Sequence, residues 1–163
     1  MYVITNREVI DSEPGLAKFG ARPNARGPNE LRLAEVRRRG RGWNVAFLDD
    51  ELTAPEASAL IAKFCLALDP AETHYASLKV ACELAETARR KKSHILFFVH
   101  GYNNDLADVF ARAEDIARRY NVLVVPFSWP ANGGGALTGT LSYKSDKRDA
   151  RASTGALERA LKI

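Results

Sequence analysis

The sequence predicts an α/β fold of three layers, with helices on both sides of a mostly parallel sheet. Three observations in one stretch predict it. Ile95-Leu96-Phe97-Phe98-Val99 is apolar at every position, the pattern of a central strand covered by helices on both faces. After the turn at His100-Gly101-Tyr102-Asn103, the residues Leu106, Val109, Phe110, Ala113, Ala117 and Tyr120 recur at helical spacing. Val122 to Phe127 is a second apolar run. Strand, helix and strand in that order make a βαβ unit, and such units bind or react at the carboxyl ends of their strands.

Taken in order, Tyr2-Val3-Ile4-Thr5 opens the chain as a strand of β-formers, with Val9-Ile10 as its extension. Residues 11 to about 34 hold Pro14, Gly15, Gly20, Pro23, Gly27 and Pro28 and read as a long irregular segment. Leu31, Leu33 and Val36 alternate with polar residues as in a short strand, and Trp43 to Leu48 is another. Thr53-Ala54-Pro55-Glu56 is a capping box with proline in the first turn, opening a helix with Ala57, Leu60, Ile61, Phe64 and Leu68 on one face. Asp69-Pro70-Ala71-Glu72 reads as a second helix start, running through Tyr75, Leu78, Cys82 and Ala85 to Arg89. In the organising stretch Asn103 or Asn104 serves as the helix cap, Asp105 and Asp108 suit its positive end, and Arg118 and Arg119 its negative end. Ala131-Asn132-Gly133-Gly134-Gly135 is a flexible loop, and about Ser145 to Leu161 a final amphipathic helix.

Composition removes several classes of function. A chain of 163 residues suits a single domain with a proper core, and 46% hydrophobic with 27% charged residues is ordinary for a globular protein. No apolar run approaches the roughly 20 residues that span a bilayer, and MYVITNREVI lacks the layout of a signal peptide. Cys65 and Cys82 fall on predicted helices without metal-ligand spacing, which reads as two buried thiols in a cytoplasmic protein needing no metal or cofactor. The net charge of +4 gathers in Arg37-Arg38-Arg39-Gly40-Arg41, taken as a loop, and in Arg89-Arg90-Lys91-Lys92 at a helix end. Neither run is interleaved with stacking aromatics, although Trp43 follows the first, so both read as solvated faces and not as a nucleic-acid surface.

His100-Gly101-Tyr102-Asn103, at the carboxyl end of a buried strand, is the candidate site. A glycine there lets the chain turn sharply and aim backbone N–H groups into a cleft, where each donor to an oxyanion is worth roughly 3 kcal/mol in acyl transfer. The plain alternative is a turn whose histidine bonds to backbone. Gly133 to Gly135 lacks a P-loop lysine and reads as a mobile loop over the cleft. His74 and His94 read as solvent-edge residues.

The succession FFVHGYNND, an amphipathic helix, VLVVPFSWP and then SYKSDKRDARAS resembles a bacterial family of α/β-hydrolases of unknown function, specifically over Ile95 to Leu161. The resemblance implies that Ile95–Val99 is the third strand, that His100-Gly101 is the oxyanion-loop motif and that the backbone N–H of Tyr102 is an oxyanion donor. It implies that Val122–Phe127 is the fourth strand, with Asn103, Ser128 and Trp129 on the substrate side, and that Tyr143, Asp146, Arg148, Asp149 and Ser153 mark the helix before the nucleophile strand. In that fold the nucleophile sits on a G-x-S-x-G elbow, followed by the acid and the histidine. No such elbow occurs in these 163 residues. The expectation is therefore a single domain cut before the elbow: the N-terminal portion of a serine hydrolase of esterase or lipase type, inactive alone and acting on a small ester when completed.

A substitute triad of Ser128, His100 and Asp105 is conceivable, but Ser128 precedes Trp129-Pro130, which holds the chain extended and offers no elbow. In the hydrolase order the third strand lies between the fourth and fifth, so Ile95–Val99 is left with an open edge, a template for a second copy or a complementary fragment. A non-catalytic binding or assembly module using that edge or the cleft is the competing reading. A basic nucleic-acid-associated protein ranks last.

Overall fold

A computed structural model of the chain describes residues 1–102, 104–131 and 147–161. Seven strands are formed among them: β1 (Tyr2–Thr5), β2 (Arg7–Val9), β3 (Phe19–Pro23), β4 (Arg32–Arg39), β5 (Gly42–Phe47), β6 (Ile95–Val99) and β7 (Leu123–Ser128). Five of them build one sheet in the order β5-β4-β1-β7-β6, while β2 and β3 pair separately as an antiparallel ribbon. β1 runs parallel to β7 and β7 parallel to β6, whereas β4 is antiparallel to both β1 and β5. Only β4 therefore points against the rest, and the sheet is mostly parallel in strand direction.

The helices are α1 (Ala54–Phe64), α2 (Ala76–Lys91), α3 (Leu106–Tyr120) and α4 (Thr154–Ala160), the last preceded by helical residues 147–152. Alternation along the strands divides the core in two. Ile4, Leu33, Val125 and Phe127 face Ala76 and Val80 of α2 and Ala156 and Ala160 of α4. Val3, Ala34, Val36 and Val45 face Val109 and Phe110 of α3, with Phe19 of β3 closing the cluster. Phe110 is fully buried, with Phe19 and Trp43 ring centroids each 5.7 Å away. These are the three layers expected from the sequence.

Local signals explain most boundaries. Thr53 and Glu56 form the reciprocal capping box at the head of α1. α3 is capped one residue later than expected, by Asp105, whose Oδ1 accepts from the Ala107 N–H at 2.6 Å. α1, α2 and α3 end on left-handed residues, Cys65, Lys92 and Asn121. α2 does not start at Asp69-Pro70. The chain turns there instead, the His74 carbonyl takes the Leu52 N–H, and α2 begins only at Ala76. His74 is consequently buried, its Nε2 2.8 Å from the Asp69 carbonyl, and not at the solvent edge. Cys82 is buried as expected; Cys65 is exposed, because α1 stops before it.

Two further readings are corrected. The irregular stretch before residue 34 contains the β2–β3 ribbon and a short 3-10 turn at Gly15–Lys18. Arg37, Arg38 and Arg39 lie on β4, where Arg37 pairs with Glu35 and Arg38 with Glu114 while stacking on Trp43 at 4.6 Å. β6, apolar throughout, is not a central strand. It has β7 on one side and no neighbour on the other among the described residues, with Ile95 and Val99 48% and 44% exposed.

Candidate functional site

Three parallel strands finish together. Thr5 is level with Ser128, and Val99 with Phe127, so the residues leaving β1, β7 and β6 gather at one end of the sheet. Thr5, Asn6 and Arg7 leave β1; Ser128, Trp129 and Pro130 leave β7; His100 and Gly101 leave β6.

Buried polar side chains tie these exits to one another. The Thr5 hydroxyl donates to the Ser128 carbonyl at 2.7 Å. Arg7, only 4% exposed, donates from Nε to Ser128 Oγ at 3.0 Å, and its other nitrogens donate to the carbonyls of Gly20 at 3.0 Å and Ala131 at 3.3 Å. One guanidinium thus joins the start of β2 to β3, to the end of β7 and to the segment after it. A planar fork of five donors suits this arrangement, and its burial is tolerable only because those hydrogens find acceptors. Asn6, fully buried, donates from Nδ2 to the Pro28 carbonyl and to Ser153 Oγ at 2.8 Å. Ser153 spends its own proton on the Asp149 carbonyl at 2.7 Å, which fixes it as the acceptor. The α4 segment is docked on the strand ends in this way.

His100 is 4% exposed and its chemistry is set by its neighbours. Nδ1 lies 2.8 Å from the Gly101 carbonyl, an acceptor only, so Nδ1 carries the proton. Nε2 is then the acceptor for the Trp129 backbone N–H at 3.4 Å. The Trp129 indole N–H donates back to the His100 carbonyl at 3.0 Å, and the rings stack 3° from parallel at 5.3 Å between centroids. The exits of β6 and β7 are clamped together. Asn104 Nδ2 donates to the Tyr102 carbonyl at 2.9 Å and holds the turn that follows.

The expected site residues therefore separate into two sets. Gly101 and Tyr102 stand at the surface, Tyr102 60% exposed. His100, Ser128 and Trp129 are buried and engaged. Asn103, Tyr143, Asp146 and the triple glycine lie outside the described residues. Gly101 does not take a left-handed conformation, and a methyl group on it would stand 3.4 Å from Asn104 Nδ2. The turn does not require glycine for its backbone, and the Asn104 amide lies against the space a side chain at Gly101 would take. The substitute triad is not assembled: Ser128 Oγ is held by Arg7, His100 by Gly101 and Trp129, and Asp105 caps α3.

Asn6 and Arg7 were not singled out by the sequence. The available signal was three polar residues, Thr5-Asn6-Arg7, directly after an apolar strand, but their significance depends on β1 lying beside β7.

A sizeable cavity lies elsewhere. About 860 Å³ opens at the amino ends of β1 and β7, between α2 and α3, lined by Tyr2, Glu83, Arg38 and Glu114 among others. Several of its polar groups pair with one another: the Tyr2 hydroxyl donates to Glu83, and Arg38 pairs with Glu114 at 2.9 Å. Burial, and then the Glu83 carboxylate, push the Tyr2 phenol above its ordinary range. At the carboxyl end buried polar groups converge on a strand exit, whereas this cavity is an open cleft flanked by ion pairs. Among the described residues no group of three His, Cys, Asp or Glu side chains could hold a metal ion, and no helix is long and apolar enough to cross a membrane.

Helices on both faces of a mostly parallel sheet, with buried polar residues at the carboxyl ends of its strands, define an α/β protein. A family model described as alpha/beta hydrolase of unknown function (DUF900) matches residues 78–163, more than half of the chain, and the chain belongs to that family. No curated protein matches it, and no solved structure does.

Proposed function

We propose that this chain is the oxyanion side of a serine hydrolase of esterase or lipase type, supplying the Tyr102 backbone N–H to the acyl-transfer centre. One observation carries the reading: within the family-matched stretch, the His100-Gly101-Tyr102 turn stands at the carboxyl end of β6, clamped to the exit of β7. A donor fixed before reaction stabilises the negative oxygen of a tetrahedral intermediate without reorganising, worth roughly 3 kcal/mol of barrier. His100 acts here as a positioning residue, because both ring nitrogens are committed to holding backbone. Ser128 likewise serves the scaffold.

The nucleophilic serine, its acid and its base come from outside these 163 residues in this reading, since no G-x-S-x-G occurs among them. A small ester is the substrate of the completed centre. Two free cysteines suit a cytoplasmic setting. A second reading, a non-catalytic assembly module, is favoured by the uncovered apolar edge of β6.

The test is turnover of 4-nitrophenyl butyrate by the purified chain, with intact mass measured after exposure to a fluorophosphonate. The expected result is no turnover above buffer and no adduct. Saturable turnover abolished by Ser128→Ala would make Ser128 the nucleophile and overturn the proposal.

A further inference from the structure

The cleft at the amino ends of β1 and β7 has no part in the acyl-transfer reading. Its volume of about 860 Å³ suits a small molecule. No residue of β6 or α4 lines it, so it is formed by the first 124 residues of the chain alone. Its walls are aliphatic, from Leu84 of α2, Ala113 and Ala117 of α3, and Val122 and Val124 at the head of β7.

Most of the charge around it is matched. Arg38 pairs with Glu114 at 2.9 Å, Arg118 with Asp115 at 2.6 Å, and the amino group of Met1 donates to the Val36 carbonyl at 2.7 Å. Glu83 differs. It is half-buried and joins no ion pair among the described residues. Its Oε2 accepts from the Tyr2 hydroxyl, and its Oε1 has no hydrogen-bond partner among the described residues. Burial and the Glu83 charge hold the Tyr2 phenol above its ordinary range, so the proton stays on the phenol and the charge on the carboxylate. A half-buried carboxylate with one neutral donor is better satisfied by a cation at its other oxygen.

We propose that this cleft binds a primary amine carried on a short aliphatic chain, its ammonium on Glu83 and its chain against the aliphatic walls. The free geometry at Glu83 selects among cations. A guanidinium fork needs both carboxylate oxygens, and Tyr2 already holds one; a compact ammonium needs only the other. A metal ion lacks ligands, since among the described residues no three His, Cys, Asp or Glu side chains come together. Anions find the two lining guanidiniums already paired, which leaves them Lys91, exposed and eight residues beyond Glu83, roughly 12 Å along α2. The site lies at the opposite ends of the strands from the Tyr102 turn and rests on no catalytic role of that turn. Its test reads binding, not turnover.

The experiment is titration of the isotope-labelled chain with pentylamine at neutral pH, where the amine is an ammonium, followed by backbone amide resonances. Pentan-1-ol and pentanoate serve as neutral and anionic probes of the same length. Pentylamine should give saturable shifts at Tyr2, Glu83 and Leu84, with a dissociation constant of about 1 mM that weakens with salt. Pentan-1-ol should bind there at least about tenfold more weakly, and pentanoate not at all. Glu83→Gln keeps the shape and the acceptor for Tyr2; it should weaken pentylamine at least about tenfold and leave pentan-1-ol unchanged. Ala117→Leu narrows the cleft without touching charge and should weaken both, while Lys91→Ala should leave the amine unaffected. Cooperative thermal unfolding of each variant establishes that it is folded. Shifts that do not saturate overturn the proposal. So do equal binding of the three probes, amine binding indifferent to Glu83→Gln, and amine shifts gathered at another carboxylate.

Discussion

The two ends of the parallel strands are built on different principles. At the carboxyl end, polar side chains are buried and aimed at backbone: Arg7 at Gly20 and Ala131, Asn6 at Pro28, His100 at Gly101 and Trp129. At the amino end, the polar groups are half-exposed and aimed at one another, as in Arg38–Glu114 and Tyr2–Glu83. Volume alone favours the amino end, where a cavity of about 860 Å³ lies. Surface ion pairs are worth little and leave a cleft adaptable, whereas a buried network holds backbone in one place. Fixed backbone is what an oxyanion donor needs. The difference teaches that the proposed oxyanion turn is distinguished here by what immobilises its neighbourhood, and not by the space beside it.

Arg7→Ala should break the comparison most sharply. It leaves Ser128 Oγ and two buried carbonyls without their donor, and chemical or thermal unfolding should show a loss of roughly 4 kcal/mol. A loss similar to that of a surface arginine would mean that the carboxyl end is no more tightly built than the amino end.

The amino end gives a smaller, pH-dependent effect. Tyr2→Phe removes the hydrogen bond to Glu83 at a cost of about 1 kcal/mol near neutral pH. The phenol is held neutral in the folded chain above its ordinary range, by burial first and Glu83 second. Above pH about 10 the unfolded chain releases that proton and the folded chain does not, so stability falls as pH rises. The contribution of this group is complete below that pH and shrinks above it. Equilibrium unfolding of both proteins at neutral and alkaline pH checks this: the two should converge as pH rises. A gap that widens with pH would contradict the assignment.

Much of the layering was legible in the sequence because it rests on local periodicity. The strand over Leu33 to Val36, the helical phase of Val109, Phe110 and Ala113, and the capping box at Thr53 each appear as elements in the structure, although Leu33 and Val36 face opposite sides of the sheet. What failed rested on distant partners. The β2–β3 ribbon has an irregular register around Arg7 and Val9 and carries Gly20 and Pro23, so its pattern resembles a loop. Asp69-Pro70 has the chemistry of a helix start, but the backbone of His74 is recruited by Leu52 and the helix waits for Ala76. An all-apolar run such as Ile95–Val99 reads identically at the centre and at the edge of a sheet. The turn at Gly101 and Tyr102 could be read directly, whereas Asn6 and Arg7 become meaningful only once β1 is placed beside β7.

The central claim is that the Tyr102 turn, not the larger cleft, receives the tetrahedral anion. Titration of the isotope-labelled chain with butylphosphonate, followed by backbone amide resonances, tests it most directly. The account predicts saturable shifts at Gly101 and Tyr102, with Glu83, Arg38 and Glu114 unmoved. Shifts gathered around the amino-end cleft, with the Tyr102 amide silent, would contradict it.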